Sequence, residues 1–325
     1  MWAYIVRKLL YNIPVFLGII LVMMLALRVN DPVYADLSKN PSPEEIAIKR
    51  AEKGLDKPFV VQYALFLKDM VTLDFSQKSW ARDEAVGPLI KKAIPPSLSI
   101  TVPALLITAS ISITVGLISS FYRGRLPDKI LVFLAVLGMS ISFLVYIIFG
   151  QYWGAYLPQE KWGIDLFAVS VDATIGDQWW YFLKPENWVR YCALPVLISV
   201  VVAMGYDTRF YRSVMVEESG RDYITTAVAK GATRKKVMFV HMLKNAMIPI
   251  ITRVMITLPF LITGSILLEI FFGIPGMGRT LIEGIKDKDF PVIQAFTAIF
   301  AALFILSNIL TDVLYAVVDP RVRLS

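Results

Sequence analysis

Only one cysteine, Cys192, and one histidine, His241, occur in the 325 residues. A lone cysteine cannot close an internal disulfide, and His/Cys metal clusters draw on several such ligands together. A nucleophile relayed through histidine would have to use His241, which stands in a strongly basic stretch. Charge is scarce too: 18% of the residues are charged, where soluble domains carry about 25%. No Gly-x-x-x-x-Gly-Lys-Ser/Thr phosphate loop, internal repeat or low-complexity tract is found. These gaps argue against His, Cys or metal-cluster catalysis, and against the chain hydrolysing ATP itself. They also predict no cofactor on this chain.

What is abundant is apolar length. Hydrophobic residues make up 56% of the chain and the mean hydropathy is +0.61. Six segments, roughly 9–27, 98–122, 130–152, 193–212, 246–272 and 292–318, run with almost no charge. Their length is what a helix needs to cross a bilayer, about 20 residues. Tyr206, Asp207 and Arg209 interrupt the end of the fourth; it is kept because an even count returns both termini to one side. Arg7 and Lys8 precede the first segment as in a signal peptide, but the run is long. Arg28-Val29-Asn30-Asp31 after it is no small-residue cleavage site, so a retained helix is expected. The predicted fold class is an all-α membrane protein with six transmembrane helices in a single domain, 1–325.

Orientation follows from the basic residues. With the N-terminus in the cytoplasm, the inside segments hold Arg7 and Lys8, then Arg123, Arg125 and Lys129, eight more from Arg209 to Lys244, and finally Arg321 and Arg323. The connection 153–191 is acidic by contrast, with Glu160, Asp165, Asp172, Asp177 and Glu186 against Lys161, Lys184 and Arg190. Basic loops stay inside, so both termini are expected in the cytoplasm. The net charge of +7 is thereby read as topology, with membrane lipid and not nucleic acid as the surroundings it serves.

Outside, 28–97 is predicted to be a long extracytoplasmic loop with a charged helical stretch at 43–53 and an amphipathic one at 60–71. The loop 153–191 carries Trp153, Trp162, Trp179, Trp180, Tyr181 and Trp188. Such residues favour the outer interface; substrate contact is the alternative. Arg253, Glu269, Asn308 and Asp312 lie in or near hydrocarbon, where polar groups are expensive, and pairing within the protein is expected before substrate contact. Pro195, Pro249, Pro259, Gly205 and Gly264 are expected to bend or loosen their helices. No discontinuous helix of the kind found in secondary carriers is expected.

The loop 213–246 between the fourth and fifth segments is the most informative. It reads as two helices around Gly231, a residue suited to the left-handed conformation that ends a helix. Thr225, Thr226, Ala227 and Ala229 make the first helix slim. Thr233 is positioned to cap the second, whose first turn holds Arg234, Lys235 and Lys236 where the helix dipole disfavours cations. An acidic partner would relieve that; on charge alone, the positive-inside bias explains it equally well.

The order of residues adds to this. Asp222-Tyr223-Ile224 leads to Ala227-Val228-Ala229-Lys230-Gly231-Ala232, and His241-Met242-Leu243-Lys244-Asn245-Ala246-Met247-Ile248-Pro249 follows. The pattern resembles the cytoplasmic coupling loop of ABC importer permeases, and more narrowly the B-type permease of the oligopeptide/dipeptide/nickel family. Thr225 stands where the general loop has glutamate, as is usual in this branch. Glu269 to Arg279 (with Pro275-Gly276-Met277-Gly278), Asp289 to Gln294, Asn308 to Tyr315 and Asp319 to Arg323 resemble further family stretches, as do Leu55 to Pro58 with Gln62-Tyr63.

The resemblance implies a type I importer permease fold in a bacterial plasma membrane, the inner one if the cell is Gram-negative. It also implies partners: a homologous second permease subunit, two ABC ATPase subunits binding ATP-Mg, and an extracytoplasmic solute-binding protein. By the same resemblance Tyr223, Ala227, Lys230, Gly231 and Ala232 form the surface that docks on the ATPase, with Arg234 and His241 beside it. Peptides are the implied cargo, nickel or another small solute remaining open. A membrane-embedded enzyme would need clustered His, Asp or Glu at the membrane face. An ATP-independent carrier or channel is the alternative transport reading.

Overall fold

The computed structural model describes residues 2–29, 33, 42–172, 179–257 and 266–318. Among these residues the chain is helical, with one isolated bridge between Lys78 and Ala85 and no strand. Four helices are each long and apolar enough to cross a membrane: α1 (Trp2–Leu27), α4 (Val86–Phe121), α8 (Ala193–Ser219) and α14 (Phe290–Val318). Between α1 and α4 stand α2 (Pro43–Glu52) and α3 (Phe59–Thr72). Local chemistry starts α2: Ser42 and Glu45 form a reciprocal capping box with Pro43 in the first turn.

Two bent helix pairs bring the number of crossings to six when each pair is counted as one span. Helix α5 (Leu126–Ser140) meets α6 (Phe143–Trp162) at 90°, and α10 (Arg234–Asn245) meets α11 (Met247–Thr257) at 58°. The expectation of no discontinuous helix is thus corrected. At the first break the α5 carbonyls find new donors, as groups in hydrocarbon must. The Tyr146 hydroxyl donates to the Gly138 carbonyl at 2.9 Å, and Tyr206 to that of Met139 at 3.4 Å. At the second, Pro249 lacks the N–H that would bond the Asn245 carbonyl. Pro195, by contrast, sits harmlessly in the first turn of α8, and Gly205 lies within that unbroken helix. Pro259 and Gly264 lie outside the described residues, as do Asp319, Pro320, Arg321 and Arg323.

The boundaries also move. The helix that holds the second predicted crossing begins at Val86, not 98, and the one that holds the fourth continues to Ser219. Helices α12 (Ile266–Phe271) and α13 (Met277–Lys286) precede α14.

Helices α4, α5 and α8 pack together, and α14 packs on α1 and α11. Missing side chains let backbones approach, as in other membrane bundles. A Cβ on Gly116 of α4 would stand 3.0 Å from the Arg212 nitrogen of α8, and one on Gly205 would stand 2.8 Å from the Ala135 carbonyl of α5. The outer surface is apolar: Leu10, Val22, Leu106, Phe133 and Phe304 are all exposed, as lipid or a partner helix requires and water does not.

Three ion pairs tie the crossings together. Arg253 of α11 donates to Asp207 of α8 at 2.9 Å, and Lys8 of α1 is paired with Asp312 of α14. Lys8 also donates to the backbone carbonyl of Asn308. The Arg212 guanidinium of α8 grips Asp128 of α5 with two bonds of 2.6 and 2.8 Å. The aromatic loop behaves in two ways. Trp153, Trp162 and Trp180 are exposed, while Phe182 and Tyr191, flanking α7 (Pro185–Tyr191) and at its end, are buried, and Trp188 donates to the Ser99 carbonyl at 2.8 Å. The expected interfacial loop is therefore partly a plug in the core between α4 and α8.

Candidate functional site

The connection from α8 to α11 folds as an elbow. Gly220 ends α8, and α9 (Asp222–Ala229) follows at once. Helix α9 stops because Gly231 takes φ +78°, and its amide donates to the Val228 carbonyl at 2.9 Å. Ala232 donates to the Ala227 carbonyl at 3.0 Å, completing the wrapped helix end. Thr233 then caps α10, accepting from the Lys236 amide. Residues 237–242 of α10 make a π-helical turn.

An apolar cluster under the elbow holds it to the bundle. Val237, Met238 and Met242 are buried with Leu117 of α4 and Tyr211 and Met215 of α8. Ile224, Ala227 and Ala232 pack against that cluster. Tyr223 donates to Glu218 at 2.5 Å, bracing α9 on the end of α8. Burial first, and then that bond, push its hydroxyl up to about 12, so it remains a neutral donor.

The seven residues singled out in the sequence therefore divide. Lys230, Gly231 and Arg234 are exposed on the crown of the elbow. Ala227 and Ala232 face inward as packing, Tyr223 is a brace, and His241 is half-buried with its backbone carbonyl accepting from Asn245 at 2.8 Å. The Arg234 guanidinium lies 5.7 Å from the Phe121 ring of α4, which gives its charge a partner within the chain. The exposed face of α9 is Thr225, Thr226, Val228 and Ala229. Val228 is 57% exposed, and no motif marked it, because an apolar residue in a short helix reads as core.

At the opposite end of the bundle the Pro-Gly-Met-Gly turn closes on Glu269. Its carboxylate is fully buried and accepts from the Ser97 hydroxyl at 2.7 Å and the Arg279 amide at 2.9 Å. Ser97 in turn accepts from the Met277 amide at 2.8 Å. The Arg279 side chain reaches the Gly273 carbonyl at 2.6 Å and Glu283 at 2.7 Å, and Glu283 also pairs with Arg82 at 2.5 Å. Among the described residues no group of three or more His, Cys, Asp or Glu is placed to hold a metal ion.

The family described as the inner membrane component of binding-protein-dependent transport systems matches residues 112–324, and the N-terminal family of such membrane components matches 1–101. A putative peptide permease protein of Brucella ovis is 32% identical over 331 residues, covering 100% of both chains. A putative peptide transport system permease protein of Brucella abortus is 32% identical over 326 residues, with 99% of each chain covered. A dipeptide transport system permease protein of Alkalihalophilus pseudofirmus is 30% identical over 341 residues, covering 99% of this chain and 100% of that one.

Proposed function

The chain belongs to the family of inner membrane components of binding-protein-dependent transport systems, and from that premise we propose that it forms half of a peptide-importing path driven by ATPase subunits docked on the α9–α10 elbow. The other half is a homologous permease, two ATPases bind ATP-Mg, and a solute-binding protein delivers cargo from outside. Both termini and the elbow face the cytoplasm in this reading, which the basic residues from Arg209 to Lys244 support. The relatives named for peptide and dipeptide transport support peptides as the cargo.

The observation that carries the docking assignment is Gly231. It stands at the crown in a left-handed conformation, and an added Cβ would have no atom within 4 Å. The first atom of a side chain there meets nothing of this protein, so the side chain can extend toward whatever the crown touches. The exposed residues beside it are small on one side and basic on the other, suited to a close-fitting groove with acidic walls.

The test is Gly231→Trp in the assembled transporter, with Gly124→Trp as control. Gly124 has φ +77° and equal open space, so it carries the same backbone strain, of about 1–2 kcal/mol. The expected result is loss of ATPase co-purification and of peptide uptake for Gly231→Trp, with the chain still in the membrane and the control active. Normal uptake by Gly231→Trp overturns the docking assignment. Uptake into liposomes by the chain alone, without ATP, would favour the carrier or channel reading.

A further inference from the structure

A cavity of about 480 Å³ lies between the last turns of α1, the helices α2 and α3, and the start of α14. It is remote from the elbow, at the end of the bundle that the charge pattern places outside. One wall is aromatic: Trp80 stacks on Phe290 with ring centroids 5.2 Å apart, and the Lys53 ammonium stands 4.5 Å over the Trp80 ring. Lys57 and Asp69 bring charges of both signs to the lining.

This wall is held rigid by groups that the cavity does not use. Ser79 and Asp289, the neighbours of Trp80 and Phe290, are both buried and hydrogen-bonded to each other. Asp289 also accepts from the Ala81 amide at 3.3 Å, and Arg82 pairs with Glu283. Two segments far apart in sequence are thus clamped so that the two rings meet. Asp69 is likewise fixed, accepting from the Gln77 side chain at 2.7 Å.

We propose that this cavity is a receiving site for short peptides with free termini, at the outer mouth of the path. The inference rests on the peptide-permease reading and deepens it. Its size is that of a small-ligand pocket, about 300–1,000 Å³. Lys53 and Lys57 suit the terminal carboxylate through charge-assisted hydrogen bonds, and Asp69 suits the terminal ammonium. The Gln77 side chain, whose oxygen and second N–H lie beside its bond to Asp69, suits peptide N–H and C=O groups, and the Trp80–Phe290 wall takes an apolar side chain. An inorganic anion has no use for the aromatic wall, and a lipid tail none for the Gln77 amide and the acid.

The test uses the complete transporter in lipid nanodiscs without the binding protein, titrated with the tripeptide Ala-Phe-Ala. Saturable binding is expected, weakened at least tenfold by Lys57→Gln and by Trp80→Ala, and at least tenfold for the acetylated, amidated tripeptide. Lys57 is exposed, so its variant keeps the fold. Unchanged affinity in both variants, or no saturable binding by the wild type, overturns the site. Binding-protein-driven uptake of the same peptide is measured in parallel. Uptake without direct binding overturns the cavity assignment and leaves the transport reading standing; no uptake of peptide at all removes the premise and the site with it.

Discussion

A carboxylate inside an apolar crossing needs donors on every side, and Glu269 has them from Ser97 and from the backbone of the turn that follows it. The turn can close that tightly because position 276 has no side chain. A Cβ there would stand 2.5 Å from the Ser97 oxygen, so Gly276→Ala is expected to destabilise the protein by about 1–3 kcal/mol through overpacking. Glu269→Gln replaces an acceptor with an amide that must aim a donor into the same cage. The expected loss is about 1–3 kcal/mol, read as a lower thermal midpoint in detergent, while Glu283→Gln on the more exposed Arg82 pair has a smaller effect. The Asp128–Arg212 pair belongs here too: Asp128 is buried, and Asp128→Asn leaves the guanidinium without its counter-charge. A loss of about 3 kcal/mol is expected, and a drop in thermal midpoint no larger than that of a surface variant would refute it.

At the scale of elements, the break between α5 and α6 follows the same rule: a freed carbonyl in hydrocarbon must find a donor. At the α5–α6 break the donor is Tyr146, so Tyr146→Phe is expected to weaken the bend by about 1 kcal/mol. Faster amide exchange at the break, beside unchanged exchange in α4, is the measurement that checks it. The elbow shows how a slim helix can be both anchored and available. Helix α9 turns Ile224 and Ala227 to the cluster below and Val228 to the outside. Val228→Asp is expected to lower ATPase co-purification at least tenfold without changing the amount of chain in the membrane; unaltered co-purification would remove Val228 from the docking face.

For the whole molecule, the arrangement of basic loops makes orientation directly measurable. Cys192 is fully buried, so the native chain is a quiet background for added cysteines. In right-side-out vesicles a membrane-impermeant maleimide is expected to label Lys57→Cys but not Lys235→Cys, and in inverted vesicles the reverse. Labelling of both from one side would reject the six-crossing topology. The α1–α14 contact is stitched by Lys8 and Asp312, residues at opposite ends of the sequence. An exchanged pair, Lys8→Asp with Asp312→Lys, is expected to recover most of the stability that either change removes alone.

The sequence by itself determined the all-helical membrane class, the transport family and the motif at the elbow. Those follow from local properties: apolar run length, composition and the order of residues along a single segment. Gly231 and Thr233 were legible for the same reason, since a left-handed helix end and a cap are chosen by one or two neighbouring residues. Tertiary structure alone decided that Ala227 and Ala232 face inward while Val228 faces out, because a helix face is defined only by what lies beneath it. It alone broke the third crossing where neither glycine nor proline stands at the bend; the hydroxyls of Tyr146 and Tyr206, distant in sequence from each other, make that break tolerable. It alone brought Trp80 to Phe290 and Ser97 to Glu269, since pairs so far apart along the chain meet only when the bundle closes.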